Sequence, residues 1–161
     1  PRLAAMLVTL AEAAGRDGMV AGQVLDLAAV GGHPDVAALA TMHGHKTGAL
    51  IRAAVRLGGL VAVAETDPRL AALDDYARAI GLAFQIHDDV LDVTGDTATL
   101  GKASGADAAR DKPTYPSLLG LEGARARAGE LVEEAVAALA PLGEGAIPLK
   151  ALARYMIERD H

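Results

Sequence analysis

Three aspartates crowd into five residues of an otherwise apolar segment, FQIHDDVLDVTGD at 84 to 96. Asp88 and Asp92 stand at i and i+4, and Asp89 and Asp92 at i and i+3. On a helix all three reach one side, with Gln85 one turn earlier. Like charges at this spacing disfavour a helix by roughly 0.2 to 0.5 kcal/mol per pair, so a cation is expected to offset them. Hard oxygen donors suit Mg²⁺, which keeps waters and takes one or two carboxylates together with phosphate oxygens. Spacing alone accommodates a solvated acidic helix end equally well, and the flanking residues have to decide.

Upstream, HGHKTGALIRAAV offers the Lys46 ammonium and the Thr47 hydroxyl among the small neighbours Gly44, Gly48 and Ala49, which leaves space for a ligand. This is not a phosphate-cradling P-loop, because His45 precedes the lysine and no glycine stands at the required distance upstream. His43 and His45, at i and i+2, point about 160° apart on a helix and read as structural or surface positions rather than a metal pair. Downstream, Lys102 and Lys112 appear in TLGKASGAD and ARDKPTYP. Any one of these lysines alone reads as a solvated charge. A carboxylate-bound metal with three lysines is chemically a polyphosphate site, each charge-assisted hydrogen bond contributing roughly 1.5 to 3 kcal/mol.

Helices must position these groups. The chain has 161 residues, 52% of them apolar but only 2% aromatic, and the apolar set is mostly Ala, Leu and Val. That composition predicts one all-α domain with closely packed helices. Periodicity and end signals place helices over 3–14 and 19–29, then a long segment that Pro34 opens and that runs to about 63, with a break at Gly44 or Gly48. Asp67 as cap and Pro68 in the first turn start a helix over 68–93. A loop or broken segment covers 94–115, and long loops of this kind are often functional. One further helix ends near Pro141 and a last one starts at Pro148. No strand-like alternation and no repeat is visible.

The formal charge of −6 and the absence of any Lys/Arg run argue against nucleic acid. Arg52 and Arg56 interrupt the longest apolar stretch, so no membrane span is expected and the chain reads as soluble. Cysteine is absent, which removes thiolate and disulfide chemistry and fits a reducing compartment, with the cytoplasm the expected location. The chain begins at Pro1 and goes directly into an amphipathic pattern without a leader-like segment, and its true N-terminus is expected to lie upstream.

Four stretches taken together carry a family resemblance: GQVLDL at 22–27, HKTGALIRAAVRLGG at 45–59, GLAFQIHDDVLDVTGDTATLGK at 81–102 and GADAARDKPTYPSLLGLE at 105–122. They resemble the C-terminal half of short-chain trans-polyprenyl diphosphate synthases, the bacterial farnesyl diphosphate synthase branch in particular. The resemblance covers nearly the whole chain in order and includes the family's second aspartate-rich motif. It implies an all-α isoprenoid synthase bundle around a deep cavity, of which residues 1–161 are the C-terminal part. The first aspartate-rich motif and the basic segment for isopentenyl diphosphate are not found in this chain. No turnover is therefore expected from these residues alone.

The resemblance further implies Mg²⁺, with Mn²⁺ as the alternative ion, held by Asp88, Asp89 and Asp92, Asp88 being the first candidate for a direct ligand and Asp92 the next. Lys46 and Lys102 match lysines that hold the allylic diphosphate, and Lys112 a third that supports the same end. Thr47 and Gln85 match residues whose oxygens lie near the developing allylic cation. Gln23 and Asp26 match the element lining the pocket, and Phe84 is placed with them. The implied reaction ionises an allylic diphosphate, dimethylallyl or geranyl, and joins it to isopentenyl diphosphate with release of pyrophosphate, in a homodimer. His87 stands where glutamine is common, Ala21 replaces a glycine, and the tail Arg159, Asp160, His161 is less basic than many. Two other readings remain at this point: a non-catalytic helical subunit of a heteromeric prenyl synthase, and a class I terpene cyclase. The cyclase would usually carry an Asn/Ser/Glu metal motif, which the TATLGK segment lacks. A bland helical interaction module stands behind both.

Overall fold

A computed structural model describes residues 2–94 and 112–159, all helices and connections with no strand among them. The chain runs α1 (Arg2–Ala14), α2 (Met19–Ala29), α3 (Val36–His43), a π-helical turn (Gly44–Gly48), α4 (Ala49–Ala62), α5 (Arg69–Thr94), α6 (Tyr115–Ala138), a 3₁₀ segment (Ala140–Ala146) and α7 (Ile147–Glu158). The expected all-α class holds among the described residues. The predicted helix over 68–93 starts one residue later and ends one later. Its cap is as expected, the Asp67 carboxylate accepting from the Arg69 N–H at 2.9 Å. Pro34 does not open α3, however. Asp35 is the cap, accepting from Ala38 N–H at 2.8 Å, so the proline lies just outside the helix. The break foreseen at Gly44 or Gly48 is a π turn bounded by both. The expected loop over 94–115 falls mostly on residues 95–111, outside the described ones, and Lys102 lies there too.

The 26-residue α5 is the axis of the molecule. Ala72, Leu73, Tyr76, Ala77, Ile80, Ala83, Ile86 and Val90 are all buried along it, and it packs most extensively against α6. Small residues let the helices approach closely, and Ala77, Ala83, Ala124 and Ala135 have no exposed surface at all. The Tyr76 hydroxyl donates to the Leu149 carbonyl at 3.0 Å and ties α5 to α7. α6 is not continuous: Gly120 has φ 74° and ψ 162°, a conformation open essentially to glycine, and it separates the first turn from the rest. That first turn is fixed by a reciprocal cap between Thr114 and Ser117.

On the other side, α1 has no buried residue, and Leu3, Leu7, Val24 and Leu27 of α1 and α2 are 60–76% exposed. Among the described residues, no single helix is long and apolar enough to cross a membrane.

Candidate active site

The site is assembled where α2, the π turn, α5 and the start of α6 meet. A π turn inserts one residue into the helical ladder and is frequent at functional positions. Here it carries Lys46 and Thr47. Its placement depends on Gly22 of α2: a Cβ built there would lie 2.1 Å from the Lys46 nitrogen and 2.3 Å from its Cα. Gly81 of α5 plays the matching part on the far side, its would-be Cβ standing 3.2 Å from Gly48 Cα. The π turn is thus gripped between two helices at backbone contact.

Two of the expected lysines converge. Lys46 Nζ lies 2.8 Å from Asp26 Oδ2, and Lys112 Nζ lies 3.1 Å from the same oxygen and 3.3 Å from Oδ1. Burial pushes the Asp26 carboxyl up, but hydrogen bonds and charge from the two lysines outweigh it and hold the group below its ordinary value. Positions 46 and 112 come together only in the fold, as does their shared counter-ion on α2. Gln23, three residues before Asp26, is exposed on the same helix.

A second line of contacts runs beside the first. Thr47 Oγ1 donates to Gln85 Oε1 at 3.1 Å, Gln85 Nε2 donates to Asp89 Oδ1 at 3.2 Å, and the Tyr115 backbone N–H donates to Asp89 Oδ2 at 3.0 Å. His43 lies under this line with 6% of its surface exposed, its ring stacked on Tyr115 at 6.0 Å and its Nε2 3.9 Å from Asp89 Oδ2. Neither ring nitrogen has a hydrogen-bond partner among the described residues. Burial, with repulsion from Lys46, lowers its pKa to about 4, so the ring is neutral at physiological pH. His45 turns away, its Nδ1 3.1 Å from the Asp17 carbonyl oxygen. The two rings thus point to different places, as their spacing leads one to expect.

The aspartates do not present one common face. At about 100° per residue, Asp89 is rotated toward α6 while Asp88 stays on the outer side and Asp92 falls between them. The Asp88 side chain is 45% exposed and lies 3.8 Å from the Arg159 guanidinium, whereas Asp89 and Asp92 are buried. Arg159 thereby provides part of the cation the triad demands. It also lies over the Phe84 ring at 4.6 Å, and His87 Nε2 lies 2.9 Å from its carbonyl oxygen, so residue 159 is fastened to α5 at three points. Nothing in the spacing of the sequence pointed to Arg159 in this place. Among the described residues no three His, Asp or Glu side chains are arranged to hold a metal by themselves.

A cleft of about 980 Å³ lies between α1, α3, the π turn, α4 and α5, with Gly44, His45 and Gly48 in its wall. Small and apolar residues such as Ala4, Val8, Ala53 and Leu82 line it with charged ones, Arg56 paired with Asp74, and none of Lys46, Thr47, Gln85, Asp88, Asp89 or Asp92 does.

A family model described as polyprenyl synthetase matches residues 3–141. The chain is 54% identical over 158 residues to farnesyl diphosphate synthase of Escherichia coli (strain K12), an overlap of 96% of this chain and 53% of that protein. Among solved structures it is similar to an FPP/GFPP synthase from Zymomonas mobilis in its apo form, at 37% identity and a TM-score of 0.80 over 96% of this chain and 51% of that one. A geranyltransferase from Helicobacter pylori, complexed with magnesium and isoprenyl diphosphate, matches at 29% identity and a TM-score of 0.81, over 98% of this chain and 51% of that one. The chain spans about half the length of the relatives it matches. With a family model covering most of its residues and the same all-α architecture in its relatives, this chain belongs to the polyprenyl synthetase family.

Proposed function

We propose that this chain is the diphosphate- and metal-binding half of a short-chain trans-prenyltransferase that joins isopentenyl diphosphate to an allylic diphosphate, with farnesyl diphosphate or a similar product. The observation that carries this is the convergence of Lys46 and Lys112 on Asp26, immediately beside the Thr47–Gln85–Asp89 line. Two ammonium groups held by one carboxylate can be taken over by a diphosphate, which offers more negative charge and more acceptor oxygens. Lys102 is proposed to join them.

The donor set fits Mg²⁺. Asp88 and Asp92 offer two carboxylates one turn apart, and Mg²⁺ usually takes one or two from protein and the rest from water and phosphate. Mn²⁺ would accept the same donors. When bound, the ion supplies neutralisation of charge on the diphosphate leaving group. The chain's own residues do the rest. Lys46 and Lys112 stabilise the departing pyrophosphate where its charge develops. Thr47 and Gln85 present oxygen to the allylic carbon as its bond to the diphosphate oxygen breaks. The isopentenyl double bond then attacks that carbon, and a proton is lost from the adduct. Gln23, Asp26 and Phe84 line the substrate side, and the apolar helix faces exclude water from the cation.

A homodimer belongs to the same proposal, supported by the exposed apolar residues of α1 and α2, which call for cover. So does a cytoplasmic location, since both substrates are charged and water-soluble. Isothermal calorimetry of pyrophosphate binding with and without Mg²⁺ tests the reading, comparing the chain with an Asp88→Asn, Asp92→Asn double variant. Heat that requires Mg²⁺ and disappears in the variant is the expected result. Binding that is indifferent to both, in a folded sample, would sink it. No turnover is expected from the chain by itself, and addition of the N-terminal half present in its relatives is expected to produce it.

A further inference from the structure

A glutamine amide has two ends of opposite polarity and nearly equal shape, and only its partners decide which way it faces. The Gln85 Nε2 donates to Asp89 Oδ1 at 3.2 Å, the orientation that a carboxylate acceptor selects. The carbonyl oxygen is then turned to the other side, where the Thr47 hydroxyl donates to it at 3.1 Å. Asp89 itself is held from behind: its second oxygen accepts the Tyr115 N–H at 3.0 Å, it is 4% exposed, and the His43 ring stacked on Tyr115 covers it. With Oδ1 taken by the Gln85 amide and Oδ2 by the Tyr115 N–H, the carboxylate is well placed to orient its neighbour.

We infer that Asp89 is a positioning residue, whose carboxylate fixes the Gln85 amide so that its carbonyl oxygen, not its NH₂, faces the allylic carbon. The inference rests on the proposed function in one respect, that Gln85 lies beside that carbon. An amide turned the other way would put the positive end of its dipole against a developing cation, and the step that makes the cation would slow. Asp89 thus works through Gln85 rather than through the metal, unlike the more exposed Asp88.

Two measurements test this. In the chain itself, ¹⁵N spectra are expected to show a protected Gln85 side-chain NH₂, identified by its loss in Gln85→Leu, whose exchange speeds up about tenfold or more in Asp89→Asn. In a polypeptide that carries this chain together with the N-terminal half of its relatives, Asp89→Asn is expected to lower kcat about tenfold, with the Mg²⁺ half-saturation and the allylic KM changed less than about twofold. In a Gln85→Leu background the same substitution should cost less than about twofold more, because the group it orients is gone. A rise in the Mg²⁺ half-saturation at little-changed limiting kcat would make Asp89 a metal ligand and overturn the inference, as would full additivity with Gln85→Leu or an unprotected Gln85 NH₂. An absence of prenyl transfer in the unsubstituted long polypeptide would overturn the proposed function instead, while the spectra would still report which way Gln85 is held.

Discussion

At the scale of single residues, His43 gives the site a dependence on pH that can be measured without substrate. Its pKa in the folded chain is about 4, against an ordinary 6.5, because burial and Lys46 both disfavour the charged ring. The unfolded chain therefore takes up the proton first. The contribution is intact above about pH 6.5 and is lost as pH falls toward 4, at a rate near 1.4 kcal/mol per unit, a few kcal/mol in all. Denaturant titrations across this range should show a shallower acid loss for His43→Gln than for the unsubstituted chain, and identical slopes would rule out a buried neutral imidazole. Residue types singled out Lys46, Thr47 and Gln85, and the fold brings Thr47 against Gln85 and Lys46 against Asp26. The role of Asp26 as common partner of two lysines was not, since residues 26, 46 and 112 lie on different elements and nothing local couples them. The differing environments of Asp88 and Asp89 were equally hidden, because adjacent residues of a helix differ by about 100° and spacing does not say which side is covered.

At the scale of elements, the close crossing of α2 and the π turn depends on Gly22. Gly22→Ala would drive a methyl into the backbone of Lys46, and a loss of roughly 2 to 4 kcal/mol is expected, because backbone cannot give way as a side-chain tip can. Gly129→Ala is the control. It lies within α6 with open space around it, so removing a flexible residue from a helix interior should raise stability by about 0.5 to 1 kcal/mol. Thermal unfolding of the two variants compares them directly, and equal effects would show that the crossing is looser than described. Helix ends were well read where a cap and a proline coincide, as at Asp67 and Pro68. They were misread at Pro34, where the proline precedes its capping aspartate instead of following one. The π turn could be felt in the sequence only as glycines at 44 and 48 in an otherwise helical run.

At the scale of the whole molecule, the unevenness of burial stands out. α5 and α6 are deeply packed, while α1 has no buried residue and, with α2, carries exposed leucines and valines. The proposed dimer uses this surface. Sedimentation of the long polypeptide should give a dimer, and a Leu7→Glu, Val24→Glu double variant should shift it to monomer at the same concentration, since each charge would have to be buried at the contact. A dimer indifferent to both charges would place the contact elsewhere. The all-α class followed from composition and periodicity; which helices remain uncovered depends on packing partners that periodicity does not identify.

The π turn also fixes the length of the chain at one place. Regular helix from 36 to 62 would keep every residue in a single angular sequence, and Leu39 and Met42 could not then face the core while Lys46 meets Gly22 and Thr47 meets Gln85. The extra residue absorbs that difference in phase. Inserting one residue after Gly44, beyond the one that the π turn absorbs, would turn one flank against the other by about 100°. Helical content by circular dichroism should then survive while magnesium-dependent pyrophosphate binding is lost. Substitutions along 44–48 can be judged one by one, but its residue number behaves as a phase setting shared by everything on either side.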